Sequence, residues 1–443
     1  MRTIHSPCFR VVGAALGAIL SCSLPPESVE TATAPAPESC CSAQALADGL
    51  RIAQQYRVES IRSRRFTHTE FWAAVGPSMR SPALRSTEIG RSIQGREIRA
   101  VTFGEGPATV ILWSQMHGDE STATMSLADI FRFLAEATED PLRERLRKGL
   151  TIVLVPMLNP DGAEQFQREN AAGVDINRDG RRLVTPEARA LKALRDSLLP
   201  QYGFNLHDQG ARMRVGETGR QAAIALLAPA YDEARSYNNV RSRARQVAAV
   251  IALTLGGEIP GRIAKYDDSF NPRAFGDLMQ QWGTSTVLIE SGALPNDPEK
   301  QRLRSLNVAG ILAALDAIAT GGYESVNPDA YEGLPFNTAG ASDLLIRGGQ
   351  LVLPGRAPMP TDIAVNYDSP LDRTRGRVRE AGDLREAVAF DTLDASGLFL
   401  HPRPAALTRE GGTVWLRVGA PADFELRRGA AASSELVQSV GDR

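Results

Sequence analysis

The chain has 443 residues, 43% of them hydrophobic and 23% charged, with a formal net charge of −2. That is the composition of a globular protein long enough for one large domain and a smaller one. It excludes the basic stripe of a nucleic-acid binder: the only lysines are Lys148, Lys192, Lys265 and Lys300, and arginine carries nearly all the positive charge.

Residues 1–22 read as an export signal. "MRTIHSPCFR" supplies Arg2 and Arg10, and the apolar run "VVGAALGAIL" that follows is too short to span a bilayer and about right for the core of a signal peptide. The segment Ile19-Leu20-Ser21-Cys22 is similar to a bacterial lipoprotein box, whose cysteine is lipidated after cleavage, although Leu20 is large where a small residue is usual. Two expectations stand side by side: a lipoprotein anchored through Cys22, or a periplasmic or secreted protein. Elsewhere no run of 18 apolar residues predicts a membrane span. Cys8, Cys22, Cys40 and Cys41 are the only cysteines, so the folded body has no disulfide and its stability comes from burial.

Residues 23–42, which include "LPPESVETATAPAPES", carry no apolar period and read as a disordered tether. Residues 43–65 have helical spacing and predict a lead-in helix. From Phe66 to Tyr323 strand and helix signals alternate. "EIRAVTF" and "ATVILWS" predict strands with "GEGP" as the turn between them, and "STATMSLADIFRFLAEA" predicts a helix. "LTIVLVPMLNP" is a buried strand. "TPEARALKALRDSLL" is a helix with Thr185 as N-cap and Pro186 at its first position. "YGFNLHD" and "AAIALLAP" are strands. "EARSYNNVRSRARQVAAVIALTL" is a long helix closed by Gly256 and Gly257, "STVLIESG" is a short strand, and "PEKQRLRSLNVAGILAALDAIAT" is a final helix. Apolar strands interleaved with helices imply an α/β sheet covered on both faces over residues 66–323. Residues 324–443 change character to short β-type runs broken by Gly, Pro and Asp, which predicts a small β-rich C-terminal domain.

The chemistry starts at "QMHGDE". His117 and Glu120 stand three residues apart where an apolar strand ends. Alone, such a pair is more often a polar turn than half a metal site. His207 also ends an apolar strand, in "FNLHDQ", and active sites of open α/β sheets gather outside the carboxyl ends of strands. Taken singly each is a structural histidine; together they supply donors for a catalytic zinc, which needs three protein ligands and an open position. Glu290 ends "STVLIE", where burying a carboxylate costs several kcal/mol unless it is paired or used. Plain readings accompany the rest. "NPDG" is a turn signal. Asp119 is a turn or N-cap residue, and Asp175 a structural hydrogen bonder. Asp208 either supports the site or faces substrate, and "LRERLRK" is a solvated helix face.

The ordered set "HGDE", "NPDG", "RENAAGVDINR", "NLHD" and "IESG", spread over residues 66–323, resembles the carboxypeptidase A-like family of zinc metallocarboxypeptidases. The resemblance implies a mixed, twisted sheet of about eight strands flanked by helices, and one zinc per chain held by His117, Glu120 and His207. Glu290 is then the general base, Arg168 stabilises the oxyanion, Asn177 and Arg178 grip the terminal carboxylate of a peptide substrate, and Tyr266 closes over it. Asp267, Asp268, Arg273 and Asp277 fall in the region that shapes the side-chain pocket in that family. Two further readings are carried along: a zinc amidase or endopeptidase acting on cell-wall peptides, and a non-catalytic binding lipoprotein. A serine hydrolase lacks its Gly-x-Ser-x-Gly elbow here, and a nucleotide binder its Gly-x-x-x-x-Gly-Lys loop.

Overall fold

The computed structural model describes residues 43–441. The expected export signal, the Cys22 anchor, the tether and all four cysteines lie outside the described residues.

Helix α1 spans Ala43–Gln55, so the lead-in helix expected over 43–65 stops ten residues early. The backbone beyond it finds other partners. Val58 N–H donates to Asp129 Oδ1 (2.7 Å), and the Val58 and Ile61 carbonyls accept from the buried Arg304 guanidinium. Those side-chain bonds replace the i→i−4 ladder. Helix α2 (His68–Met79) starts on a capping box in which Thr67 accepts from Glu70 N–H and the Glu70 side chain accepts from Thr67 N–H.

The first sheet is built from β1 (Arg85–Arg91), β2 (Glu97–Phe103), β3 (Ala108–Ser114), β4 (Leu150–Val155), β5 (Tyr202–Asp208), β7 (Ile224–Leu227), β8 (Ile263–Lys265) and β9 (Ser285–Ser291). The short β6 (Arg214–Val215) lies outside it. Its order is β1-β2-β4-β3-β5-β9-β7-β8, eight strands in a mixed sheet flanked by helices. The four central strands β4, β3, β5 and β9 run parallel; β1 pairs antiparallel with β2, β2 with β4 and β7 with β9, and β8 pairs parallel with β7. "GEGP" therefore does not join two adjacent strands: β4 inserts between β2 and β3, because parallel β3 and β4 need a helical crossover. That crossover is α3 (Thr122–Glu136) followed by α4 (Pro141–Gly149).

Alternation along the central strands sends side chains to both faces. Val110 and Leu112 of β3 join the large cluster that also buries α3, α7 (Asn239–Gly256) and α9 (Gln301–Thr320). Ile111 and Trp113 join the cluster on the opposite face with Leu191 and Phe275; α5 (Pro160–Gln165), α6 (Pro186–Leu198) and α8 (Phe275–Gln281) complete the helices of this region. Burial on both faces is why these strands read as unbroken apolar runs. Helix α6 begins as its sequence predicts, with Thr185 Oγ1 accepting from Ala188 N–H (3.2 Å). Helix α7 begins later than expected, at Asn239, because the Asn238 side chain accepts from Arg241 N–H and caps it there. Helix α4 is not simply a solvated face: Arg143 is 6% exposed and donates to the Leu134 carbonyl (2.7 Å).

After α10 (Asp329–Glu332), β10 (Asn337–Thr338) pairs with β6. The remaining strands are β11 (Ser342–Leu351), β12 (Met359–Ser369), β13 (Thr374–Gly382), β14 (Ala389–Asp394), β15 (Phe399–Pro402), the hairpin β16 (Leu407–Glu410) and β17 (Thr413–Leu416), β18 (Phe424–Arg427) and β19 (Leu436–Val440). Seven of them form a second sheet, in the order β13-β12-β11-β15-β18-β19 with β14 on β11, over its own core of Ile346, Ile363, Val365, Leu400 and Phe424. Both sheets belong to one compact unit, joined in part by Arg212 after β5, whose Nε donates to Asp343 Oδ2 (2.9 Å) at the start of β11.

Candidate metal centre

The carboxyl ends of β3, β5 and β9 lie side by side, and each delivers a functional side chain. Beyond β3 the chain turns through Gln115, held at φ 49°, with Glu120 N–H donating to the His117 carbonyl (3.1 Å). Gly118 is required in this turn: a Cβ there would lie 2.0 Å from the Gly162 carbonyl carbon. "HGDE" and "NPDG" thus touch backbone to backbone. "NPDG" is also more than a turn. Its Asn159 side chain caps α5 by accepting from Gly162 N–H (2.9 Å), and Asp161 accepts from Ser92 Oγ (2.7 Å).

His117, Glu120 and His207 are all buried, and one donor atom from each lies within 4.8 Å of the others. Nδ1 of His117 is 2.8 Å from Glu120 Oε1, and Nδ1 of His207 is 2.7 Å from Glu120 Oε2. His117 Nε2 faces Asp175 Oδ1 at 3.0 Å. That carboxylate fixes the tautomer: a neutral ring donates from Nε2 and turns its Nδ1 lone pair toward Glu120. Two imidazoles and a carboxylate then face one another at the floor of a cavity, an arrangement that favours a bound cation. Without a metal the proton itself is drawn in. Burial opposes charge on His117, yet Glu120 and Asp175 raise its pKa to about 9, and the two imidazoles hold Glu120 well below the usual carboxylate range against its burial. His207, fully buried, is lowered instead. Two nitrogens and one oxygen, braced by an outer carboxylate, suit zinc with a position left open.

Asp175 was read from sequence as a structural hydrogen bonder, and its contact with His117 went unrecognised. It also accepts from Arg168 Nε and Nη2 (3.2 and 3.0 Å), while Arg168 Nη1 reaches Glu120 Oε1 (3.2 Å). Only its place in "GVDINR", two residues before Asn177, could have flagged it. Asp119 is a turn residue, as expected, and not the cap: Ser121 occupies the N-cap of α3, and Asp119 Oδ1 is buried without a hydrogen-bond partner among the described residues.

A cavity of about 690 Å³ opens over these donors, and every site residue expected from sequence reaches it: His117, Glu120, Arg168, Asn177, Arg178, His207, Tyr266 and Glu290. Glu290 is 7% exposed, and its carboxylate makes no hydrogen bond to any described residue. Burial, and then the charge of Glu120, push it well above the usual carboxylate range. Asn177 Oδ1 accepts from Phe275 N–H (2.9 Å), which docks the Asn177–Arg178 turn on α8. Arg178 Nη1 donates to the Asn177 carbonyl (2.9 Å). Tyr266 follows β8, held by its N–H to the Leu226 carbonyl (2.8 Å), and Glu290 followed by burial pushes its phenol up to about 12. The four charges expected near the side-chain pocket have different partners. Asp268 is tied to Arg235 and Arg241, and Asp267 accepts from Ser269 N–H and Oγ. Arg273 accepts through its carbonyl from Gly180 N–H. Asp277 faces the cavity as a buried carboxyl, pushed up to about 7 by desolvation.

A mixed α/β sheet that gathers two imidazoles, a carboxylate and an unpaired glutamate at its carboxyl edge defines a metal-dependent α/β protein. Residues 77–194, which include His117, Glu120, Arg168, Asn177 and Arg178, match the zinc carboxypeptidase family. "Probable carboxypeptidase 2" of Trichophyton verrucosum is 28% identical over 185 residues, 41% of this chain and 33% of that protein. "Carboxypeptidase SOL1" of Arabidopsis thaliana is 28% identical over 102 residues, 21% of each. The chain thus spans a third or less of the length of these relatives. Among solved structures, a metallo-carboxypeptidase from Burkholderia cenocepacia aligns at 18% identity and TM-score 0.47, covering 58% of this chain and 70% of that one. Thrombin activatable fibrinolysis inhibitor aligns at 14% and 0.48, covering 63% and 81%. Zinc is the metal of the matched family, and His117, Glu120 and His207 are the residues that would hold it.

Proposed function

We propose that the protein is an exported zinc metallocarboxypeptidase that hydrolyses the C-terminal peptide bond of peptides with a free terminal carboxylate. The observation that carries this reading is the placement of Glu290: a buried carboxylate without a hydrogen-bond partner among the described residues, sharing one cavity with the donors His117, Glu120 and His207 and with Arg178.

Bound zinc lowers the pKa of water from about 15.7 to near 7 and offsets the negative charge of Glu120. The chain's own residues do the rest. Glu290 accepts the proton of the attacking water on a carboxylate oxygen and returns it to the nitrogen of the leaving amine. Arg168 is held on Asp175 by Nε and Nη2, which leaves Nη1 beside the metal donors, where a tetrahedral oxyanion develops. Arg178 and Asn177 receive the substrate carboxylate; arginine suits this because its planar fork offers two parallel hydrogen bonds. Tyr266 stands at the cavity wall with its phenol protonated throughout the working range, as a donor that closes over substrate requires.

The test is a product screen by mass spectrometry on peptides with free and amidated C-termini, with murein-derived peptides in the panel and a chelator control. Release of single C-terminal residues from free-carboxylate peptides, lost on chelation, is the expected result. Cleavage only of murein fragments moves the assignment to a cell-wall amidase, and protein that neither holds nor takes up zinc is a binding module. Export rests on residues 1–22, and the anchor on Cys22. Cys22→Ala is expected to release the protein from the membrane fraction; a wild-type protein already soluble removes the anchor.

A further inference from the structure

Lys300 is one of only four lysines in the chain, and it stands where a lysine is costly. Its backbone is left-handed, at φ 53°, a conformation that disfavours residues with a side chain. It occupies the N-cap of α9, where the helix dipole repels a cation. It is also 4% exposed, paired with Asp208, whose side chain is 9% exposed. Buried ion pairs seldom repay their desolvation in stability alone, so a stability role accounts poorly for this residue.

What the arrangement yields is a junction of three elements. Lys300 Nζ donates to Asp208 Oδ2 (2.9 Å) and to the Ser291 carbonyl (3.2 Å). Asp208 Oδ2 also accepts from Thr122 Oγ1 (2.6 Å), and Asp208 N–H donates to Glu120 Oε2 (3.1 Å). Asp208 adjoins His207, Ser291 adjoins Glu290, and Thr122 opens α3 two residues beyond Glu120. Ser291 is gripped a second time from α9, by Asn307 Nδ2 on its Oγ (2.9 Å). One ammonium therefore ties the end of β5 to the end of β9, and Asp208 extends the tie to Thr122 at the start of α3 and to Glu120, so the junction touches two candidate metal donors and the proposed base.

We propose that Lys300 is a positioning residue that, through Asp208 and the Ser291 carbonyl, sets the spacing of His207 and Glu120 relative to Glu290. The inference rests on the metallopeptidase reading above. Outer partners of this kind typically change metal affinity or activity by about tenfold to a hundredfold when removed.

The full chain is compared as wild type, Lys300→Met and the double variant Lys300→Met with Asp208→Asn. Zinc affinity is read by competition with a chromogenic chelator, and kcat and KM on a free-carboxylate peptide at saturating zinc. Lys300→Met is expected to weaken zinc by about tenfold or more and to lower kcat by about tenfold, with KM within about twofold. The double variant removes both buried charges, so its thermal midpoint returns toward that of wild type. Its zinc affinity and kcat stay depressed, because the tether to the Ser291 carbonyl is still gone. Should Lys300→Met fail to fold, the double variant carries the test. Wild-type zinc affinity and kcat in a folded Lys300→Met, or in the double variant, would reduce Lys300 to charge balance and overturn the proposal. Wild-type protein that takes up no zinc removes the metallopeptidase reading and this inference together; an active zinc enzyme with unaffected variants removes the inference alone.

Discussion

His207 and Glu290 are register partners on the adjacent parallel strands β5 and β9. Neighbouring strands lie about 4.8 Å apart, and paired residues of a parallel ladder point to the same face. The candidate metal donor His207 and the proposed proton acceptor Glu290 therefore stand side by side on a rigid support, each in the second-to-last position of its strand. The same register pairs Asp208 with Ser291, the two residues that meet on Lys300.

Glu290→Gln separates base from ligand. Glu290 belongs to the cavity but not to the cluster of metal donors. The variant is expected to keep its zinc and lose about a hundredfold to ten-thousandfold in kcat, the range of a general base. Metal content measured beside kcat decides the matter, and near-wild-type turnover would remove Glu290 from the mechanism.

Asp175→Asn tests the outer carboxylate. Asp175 orients His117 through Nε2 and holds Arg168 through two bonds. Zinc affinity is expected to fall about tenfold to a hundredfold, measured by chelator competition. Unchanged affinity would leave Asp175 a loop-forming residue, as its bond to Asn177 N–H (2.8 Å) alone suggests.

Arg178→Ala should act on substrate binding. A hydrogen bond to a charged group is worth about 1.5–3 kcal/mol, which is roughly a tenfold to hundredfold rise in KM for peptides with a free terminus. Peptides blocked at the carboxylate serve as the control. Equal losses on blocked and free peptides would show that Arg178 is not the anchor.

Asp277→Asn bears on stability and pH. In the unfolded chain this carboxyl titrates near 3.8; in the folded chain burial raises it to about 7. The folded state thus holds the proton more tightly. The stability that protonation supplies is complete below the unfolded value, declines as pH rises, and is gone above about 7. The asparagine variant lacks this dependence. It should match wild type near about pH 4 and exceed it at about pH 8 by up to about 4 kcal/mol in urea unfolding. Parallel pH profiles for the two proteins would show that Asp277 is ionised in the folded state at little cost.

Gly118→Ala tests the backbone contact beneath the ligands. The added Cβ would meet Gly162 and Ala163 backbone atoms at 2.0–2.4 Å, so the turn carrying His117 or the start of α5 must move. Overpacking of this kind costs about 1–3 kcal/mol or more. Both the thermal midpoint and zinc affinity are expected to fall; a variant that binds zinc as wild type does would show that the turn tolerates the shift.

Much of this molecule is legible in its sequence because the signals are local. Apolar runs such as "ATVILWS" mark strands buried on both faces, and Thr185-Pro186 marks a helix start, each within a few residues. His117, Glu120, His207 and Glu290 were legible because chemistry-bearing residues stand where such runs end. Where the reading stopped short, a distant partner decided. The lead-in helix ends at Gln55 because its continuation bonds to Asp129 and Arg304, which lie far along the chain.

The sequence by itself determined that the chain is a covered α/β sheet with candidate metal donors at its strand ends, since periodicity and residue type carry that information without knowledge of which strands are neighbours. Only the tertiary structure decided that β4 lies between β2 and β3, that Asp175 braces His117, and that Lys300 joins Asp208 to Ser291. The physical reason is that a buried hydrogen bond or ion pair depends on which desolvated groups meet. Asp208 and Lys300 are 92 residues apart, and no local pattern records that they share a site.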